Sequence, residues 1–234
     1  MTLHSNSERI DLDEIFGLTE KHLVSIEGSQ LLIHKAAYQP FIDMRSAARE
    51  EGIEICIASA YRSFARQLLI WNNKAIGKRP CLDDSGNEID LSALNELEAV
   101  ICIMRYSALP GLSRHHWGTE LDIYDSNAIA EDYALQLIPV EYKQEGPFYP
   151  LHSWLTKYAQ DFGFDRPYEK DRGGIAPEAW HISYKSIAQQ YATSLERDLN
   201  LEKYRQLISH SDIELKQIVI NNLQYLFERF VQIA

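Results

Sequence analysis

Ser113-Arg114-His115-His116-Trp117-Gly118-Thr119-Glu120-Leu121-Asp122 is the segment on which the fold turns. Pro110-Gly111 breaks the chain just before it, and Thr119 to Tyr124 then alternates as a strand does. That alternation puts Gly118, Glu120 and Asp122 on one face and Thr119, Leu121 and Ile123 on the other. Gly118 lets the backbone turn closely between loop and strand. An imidazole at 115 and a carboxylate at 122 can therefore meet above a sheet. Taken alone, the block reads equally well as a His–Asp hydrogen bond that fixes a loop.

Working outward, Ile53 to Ala60 is rich in β-branched residues and predicts a second, buried strand, and Leu23 to Glu27 is a short β-type run. Pro40 to Glu51 reads as a helix ended by Gly52, with Phe41, Met44 and Ala48 at helical spacing. Further helices are predicted over Ser63 to Asn73, Leu94 to Tyr106 and Leu151 to Phe162, the last closed by Gly163. The polar stretch Lys74 to Asp90 reads as a surface loop. Near the end, Ser211 and Glu214 form a capping-box pattern. Leu215, Ile218, Val219, Leu223, Leu226, Phe227 and Phe230 follow with helical period, which predicts a terminal helix docked on the core. Strands alternating irregularly with helices and long loops predict an α+β domain rather than a doubly wound sheet. No repeat or low-complexity linker divides the chain, so residues 1–234 are read as one domain.

Composition narrows the function. Acidic residues number 34 and basic ones 23, a formal charge of −11, and nucleic-acid affinity needs the opposite balance. The same charge speaks against adhesion to anionic lipid, and no apolar run approaches the ~20 residues of a membrane span. Met1 to Glu14 is polar, without an apolar signal-peptide core, which favours action in the cytoplasm unless a leader is missing from this sequence. Three cysteines, with no close pairing, fit a reducing compartment, and Cys56 and Cys102 read as small core residues. His4, His22, His34, His152 and His210 are scattered and read as surface or hydrogen-bonded histidines.

Two further blocks carry chemistry. In Pro177-Glu178-Ala179-Trp180-His181 a glutamate and a histidine stand three residues apart. The imidazole can bind an ion while the carboxylate stays outside it as a general base, although a surface Glu–His pair has the same spacing. His115, Asp122 and His181 together would supply the three protein ligands of a catalytic zinc site, leaving Glu178 over as base. Ser59-Ala60-Tyr61-Arg62-Ser63 ends the buried strand and is followed by Gln67. An arginine at a strand exit can grip a carboxylate, stabilise an oxyanion or simply cap a carbonyl. There is no HExxH helix, so the common zincin arrangement is excluded.

In order, Tyr61-Arg62-Ser63, then Ser113 with His115, Gly118 and Asp122, then Glu178 with Trp180 and His181, resemble the zinc D-Ala-D-Ala carboxypeptidase family. That family includes VanY-type enzymes, L,D-carboxypeptidases and VanX-type dipeptidases, and the resemblance spans about residues 35–190, with 191–234 as a C-terminal helical extension. It implies a small antiparallel sheet flanked by helices, and one zinc ion on His115, Asp122 and His181 with Glu178 as base. It implies Arg62 near the scissile bond, and Ser113 and Gln67 on the peptide's terminal carboxylate. Tyr61 and Trp180 line the site, Trp180 packing beneath the metal, while His116 is structural or cleft-lining. Arg62 and Arg172, with the ion, are expected to make the cleft locally positive. The implied activity is removal of D-alanine from the carboxyl end of peptidoglycan peptides. An endopeptidase of the same family and a silent zinc-containing binding module are the alternatives. One position departs: Glu120 stands where the family pattern has alanine, and is expected to shape substrate preference rather than catalysis.

Overall fold

The computed structural model describes residues 10–83, 86–198 and 201–232, so His4 lies outside the described residues. The elements run α1 (Leu12–Ile15), β1 (Leu23–Ser25), β2 (Leu32–His34), α2 (Lys35–Glu50), β3 (Ile55–Ser59), α3 (Phe64–Ala75), β4 (Cys81–Leu82) and β5 (Glu88–Ile89). They continue with α4 (Glu96–Met104), β6 (Glu120–Asp125), α5 (Tyr149–Tyr158), β7 (Phe164–Asp165), β8 (His181–Tyr184), α6 (Lys185–Asp198), α7 (Leu201–Ser209), α8 (Lys216–Asn221) and α9 (Leu223–Phe227). The main sheet is antiparallel throughout, in the order β3-β6-β8-β7, with helices on its flanks. This is the α+β architecture expected. Hairpins β1–β2 and β4–β5 are additional, the second lying inside the stretch read as loop.

β6 sorts its side chains as the alternation requires: Leu121 and Ile123 are fully buried. They pack with Ile33, Phe41, Met44, Phe148, Trp154 and Ile182 into a core beneath the sheet. Glu120 and Asp122 take the opposite face. A second apolar cluster, built on Trp71, Ile103, Met104, Trp117 and Tyr204, joins α3 and α4 to the C-terminal helices. The 3-10 turn Arg114–Trp117 joins loop to β6 and closes on Gly118 at φ 69°. A Cβ on Gly118 would collide with the Leu23 side chain and crowd the His34 backbone nitrogen, so the turn requires glycine.

Several expectations need correction. α2 starts at Lys35, five residues before Pro40, because the His34 ring caps it, its Nδ1 accepting from Ala36 N at 3.1 Å. His22 is buried rather than at the surface, against the rings of His34, Tyr61 and Tyr191. Cys81 is the buried cysteine, while Cys56 and Cys102 are half-buried. The predicted terminal helix is broken into α8, α9 and a π-helical turn at Glu228–Gln232. Its capping box does not form, because Ser211 Oγ donates back to Ile208 O. Glu214 is held by α3 instead, its N–H donating to Asn72 Oδ1 at 2.9 Å and its carbonyl accepting from Trp71 Nε1 at 3.0 Å. Leu215 then turns at φ 58°. The apolar stripe is buried all the same, through Val219, Leu223, Leu226 and Phe230.

The His34 cap makes stability depend on pH. Burial, helped by the charges of His22 and Lys35, pushes its pKa down to about 4 from 6.5. Between those values the unfolded chain binds more protons, so stability falls as pH falls, by about 1.4 kcal/mol per pH unit for one such group. Protonation also removes the acceptor that caps α2. In His34→Asn the amide oxygen keeps a cap without titrating. Thermal midpoints at pH 7 and 4.5 should therefore drop further in wild type than in the variant; parallel drops would show that His34 does not titrate this way.

Candidate metal centre

Four backbone segments converge on one cavity of about 700 Å³. β6 pairs with β8 so that Asp122 faces His181 and Glu120 faces Ser183. A register shift between Ile57 and Ser59 sets Ser59 beside Asp122 on the other edge. The turn after Gly111 brings in His115, which is oriented by its Nδ1–H donating to Ala60 O at 2.8 Å. Its Nε2 lies 3.4 Å from Asp122 Oδ2, and His181 Nδ1 lies 3.0 Å from Asp122 Oδ1. Ligand atoms from His115, Asp122 and His181 all fall within 4.8 Å of one another, and all three residues are buried.

Two imidazole nitrogens and one carboxylate oxygen suit a divalent ion of intermediate softness such as zinc. The carbonyl on His115 Nδ1 can only accept, so it fixes the tautomer that leaves Nε2 free as a donor atom. On donor chemistry and convergence the residues fit the ion.

Electrostatics sorts the acids. Burial disfavours ionised Asp122, yet His115, His181 and Arg62 hold its carboxyl well below the usual range. Glu178 is the opposite case: burial pushes it up to about 7, the Asp122 charge adds to this, and His181 and Arg62 oppose it. Its Oε2 lies 3.6 Å from His181 Nδ1, and its backbone N–H is anchored on Tyr168 O at 2.9 Å. A carboxyl near neutrality beside a ligand cluster is the setting of a general base. Burial lowers the His115 pKa and the Arg62 charge adds to it, against the pull of the Asp122 carboxylate. Burial also works against charge on His181, but the carboxylates of Asp122 and Glu120 raise it to about 10.

The other expected residues divide. Arg62 is in place, its Nη2 donating to Asp122 Oδ2 at 2.7 Å and its Nε to Ser59 Oγ at 2.8 Å. Tyr61, Ser113 and Trp180 line the cavity, Trp180 resting on Tyr142 with ring centroids 5.8 Å apart. His116 is structural: its Nδ1–H donates to Arg62 O and its Nε2 accepts from Gly111 N. Gln67 does not reach the cavity; it is fully buried and donates to Ala108 O at 2.8 Å, so it braces a wall residue instead of meeting substrate. Glu120 is likewise fully buried and off the lining, because its side chain turns toward β8, which removes it from substrate. Arg172 is not on the lining either; the cations that join Arg62 there are Arg66, Lys74, Arg79 and Arg114. Sequence reasoning missed Tyr168, whose ring lies 4.7 Å from that of His181. No spacing relative to Glu178 marks it.

The profile of VanY, D-alanyl-D-alanine carboxypeptidase, matches residues 30–187. The chain belongs to the VanY family. Among VanY-like proteins it is 26% identical over 166 residues to a D-alanyl-D-alanine carboxypeptidase of Enterococcus faecalis, covering 69% of this chain and 51% of that one. It thus spans about half the length of that relative. It is 29% identical over 121 residues to an uncharacterised Haemophilus influenzae protein, covering 51% of this chain and 89% of the relative. The VanY-type fold is matched by VanYB in complex with D-Ala-D-Ala, at a TM-score of 0.52 and 22% identity over 78% of this chain and 86% of that one. The LdcB LD-carboxypeptidase matches at a TM-score of 0.51 and 25% identity, over 80% and 78%. A VanY D,D-pentapeptidase variant in complex with Zn(II) matches at 0.52 and 22% identity, over 80% and 92%. Among the described residues no helix is long and apolar enough to cross a membrane.

Proposed function

We propose that this VanY-family chain is a zinc-dependent carboxypeptidase that removes D-alanine from the carboxyl end of peptidoglycan peptides. The observation that carries the reading is Glu178: a carboxyl held near neutrality, on the cavity lining, beside the buried His115–Asp122–His181 cluster. A binding module has no use for such a group. His115, Asp122 and His181 would hold the zinc ion, which would supply polarisation of the scissile carbonyl and acidification of nearby water. Glu178 takes the proton from the attacking water and returns it to the leaving amine. Arg62, fixed by Ser59 and Asp122, lends its charge to the developing oxyanion. Tyr168 and Trp180 wall the reacting end with aromatic surface and limit its access to water.

Two features favour an exopeptidase. The same cavity carries Arg66, Lys74 and Arg79, and burial lowers the Lys74 pKa, as expected for a cation removed from water. Such a cationic end suits a free terminal carboxylate. The relatives' substrates agree in kind, since VanYB is seen with D-Ala-D-Ala. The test is mass spectrometry of zinc-loaded protein with tetra- and pentapeptide wall fragments, each with a free or an amidated carboxyl end. Loss of one alanine from the free peptides only is expected. Cleavage of amidated peptides at an internal bond would replace this reading with the endopeptidase one, and no cleavage of any fragment would end it.

A further inference from the structure

Glu120 lies on β6 two residues before the ligand Asp122, fully buried and away from the cavity. Its two oxygens are used differently. Oε1 accepts from Ser183 Oγ at 2.7 Å, Thr119 Oγ1 at 3.1 Å and Arg114 Nη2 at 3.3 Å. Oε2 is left for His181, whose Nε2 lies 2.7 Å away. Arg114 is fixed in turn by a second bond to Ser183 Oγ at 3.0 Å and by stacking on Trp117 at 5.1 Å. The carboxylate is thus locked from three sides before it meets the imidazole.

We infer that Glu120 is a positioning residue of the metal centre, taking the Nε2–H of His181 and so presenting the Nδ1 lone pair to the ion site. The inference rests on His181 being a ligand, as proposed above. Its physical basis is that an imidazole has two edges: a strong acceptor on one fixes the proton there, sets the ring plane and makes the other nitrogen more basic. Here the far edge faces Glu120 and the near edge faces Asp122 and Glu178, at 3.0 and 3.6 Å. His115 receives the same service from the carbonyl of Ala60. The two imidazoles are therefore held by different acceptors, a neutral one for His115 and an anionic one for His181. The β6–β8 register makes this inevitable: with Asp122 opposite His181, the strand neighbour on the same face, Glu120, falls beside the ring's other edge.

The experiment compares wild type, Glu120→Ala, Glu120→Gln and the double variant Arg114→Met/Glu120→Ala, which removes the buried pair together. Zinc affinity is read by competition with a chelator, and the His181 ring by ¹⁵N-detected NMR of the zinc-loaded protein. Glu120→Ala should bind zinc about 10- to 100-fold more weakly, the usual cost of losing an outer hydrogen-bond partner of a ligand. The slowly exchanging Nε2–H signal of His181 should vanish with it. Glu120→Gln keeps an acceptor and should recover most of the affinity, with a shifted Nε2–H line. A purely structural role would lower the melting temperature without moving that line. If Glu120→Ala does not fold, the double variant and Glu120→Gln are read in its place. Unchanged affinity and an unchanged ring signal in any folded variant would overturn the inference. Failure of the underlying reading looks different: wild type itself would take up no zinc.

Discussion

Glu178→Gln is expected to retain its zinc and to lose turnover by about 10²- to 10⁴-fold, the usual contribution of a positioned general base. The amide is nearly isosteric, so the backbone bond from residue 178 to Tyr168 O stays in place and the cluster beside it keeps its three donors. What is lost is the capacity to accept a proton and hand it on. Wild-type kcat/KM should rise with pH as the Glu178 carboxyl ionises. In the metal-free protein burial and the Asp122 charge, opposed by His181 and Arg62, put that event at about 7. A dication next to the carboxyl stabilises its anion, so in loaded enzyme the limb lies at or below that value. In Glu178→Gln the limb should be absent. Metal analysis, a pH series on a tripeptide ending in D-Ala-D-Ala, and circular dichroism decide the matter together. Full turnover in a folded, zinc-loaded variant would remove Glu178 from the mechanism.

His181→Ala has a larger reach, because it is expected to lose metal and turnover together. Two donors remain, and a pair holds zinc far less tightly than three, so bound zinc should fall from about one per chain to near none after dialysis. A second effect follows from burial. Removing the imidazole leaves Asp122 and Glu120 in the interior without the group between them, both shielded from solvent. Breaking a buried charged pair by deleting one partner costs about 3–5 kcal/mol. Urea titration of metal-free protein reads that term separately from the metal's own contribution. Zinc retained at wild-type stoichiometry in His181→Ala would show that the ion binds elsewhere.

The candidate ligand set was legible in the sequence through the order of three motifs, each of them ambiguous alone but set beside a local signal. Gly118 marks a turn that only glycine accommodates, β6 alternates cleanly, and Glu178 and His181 are separated by a single turn of chain. Glu120 was not legible. Alternation gives the face on which a side chain starts but not the edge to which it leans, and that depends on β8 arriving in one register. Gln67 failed for a similar reason, since its place depends on the carbonyl of Ala108, 41 residues further along the chain. In the tail, the apolar period was sound and the continuity was not. The break near Leu215 is imposed by Asn72 and Trp71, which reach Glu214 from 142 and 143 residues away in the chain. No window along the sequence contains both ends of such a bond.

That clasp has a consequence for the cleft. Trp71 and Asn72 stand on α3 between Ile70 and Lys74, two residues of the cavity wall. A distal stretch of polypeptide therefore acts as a splint for the wall on which Lys74 stands.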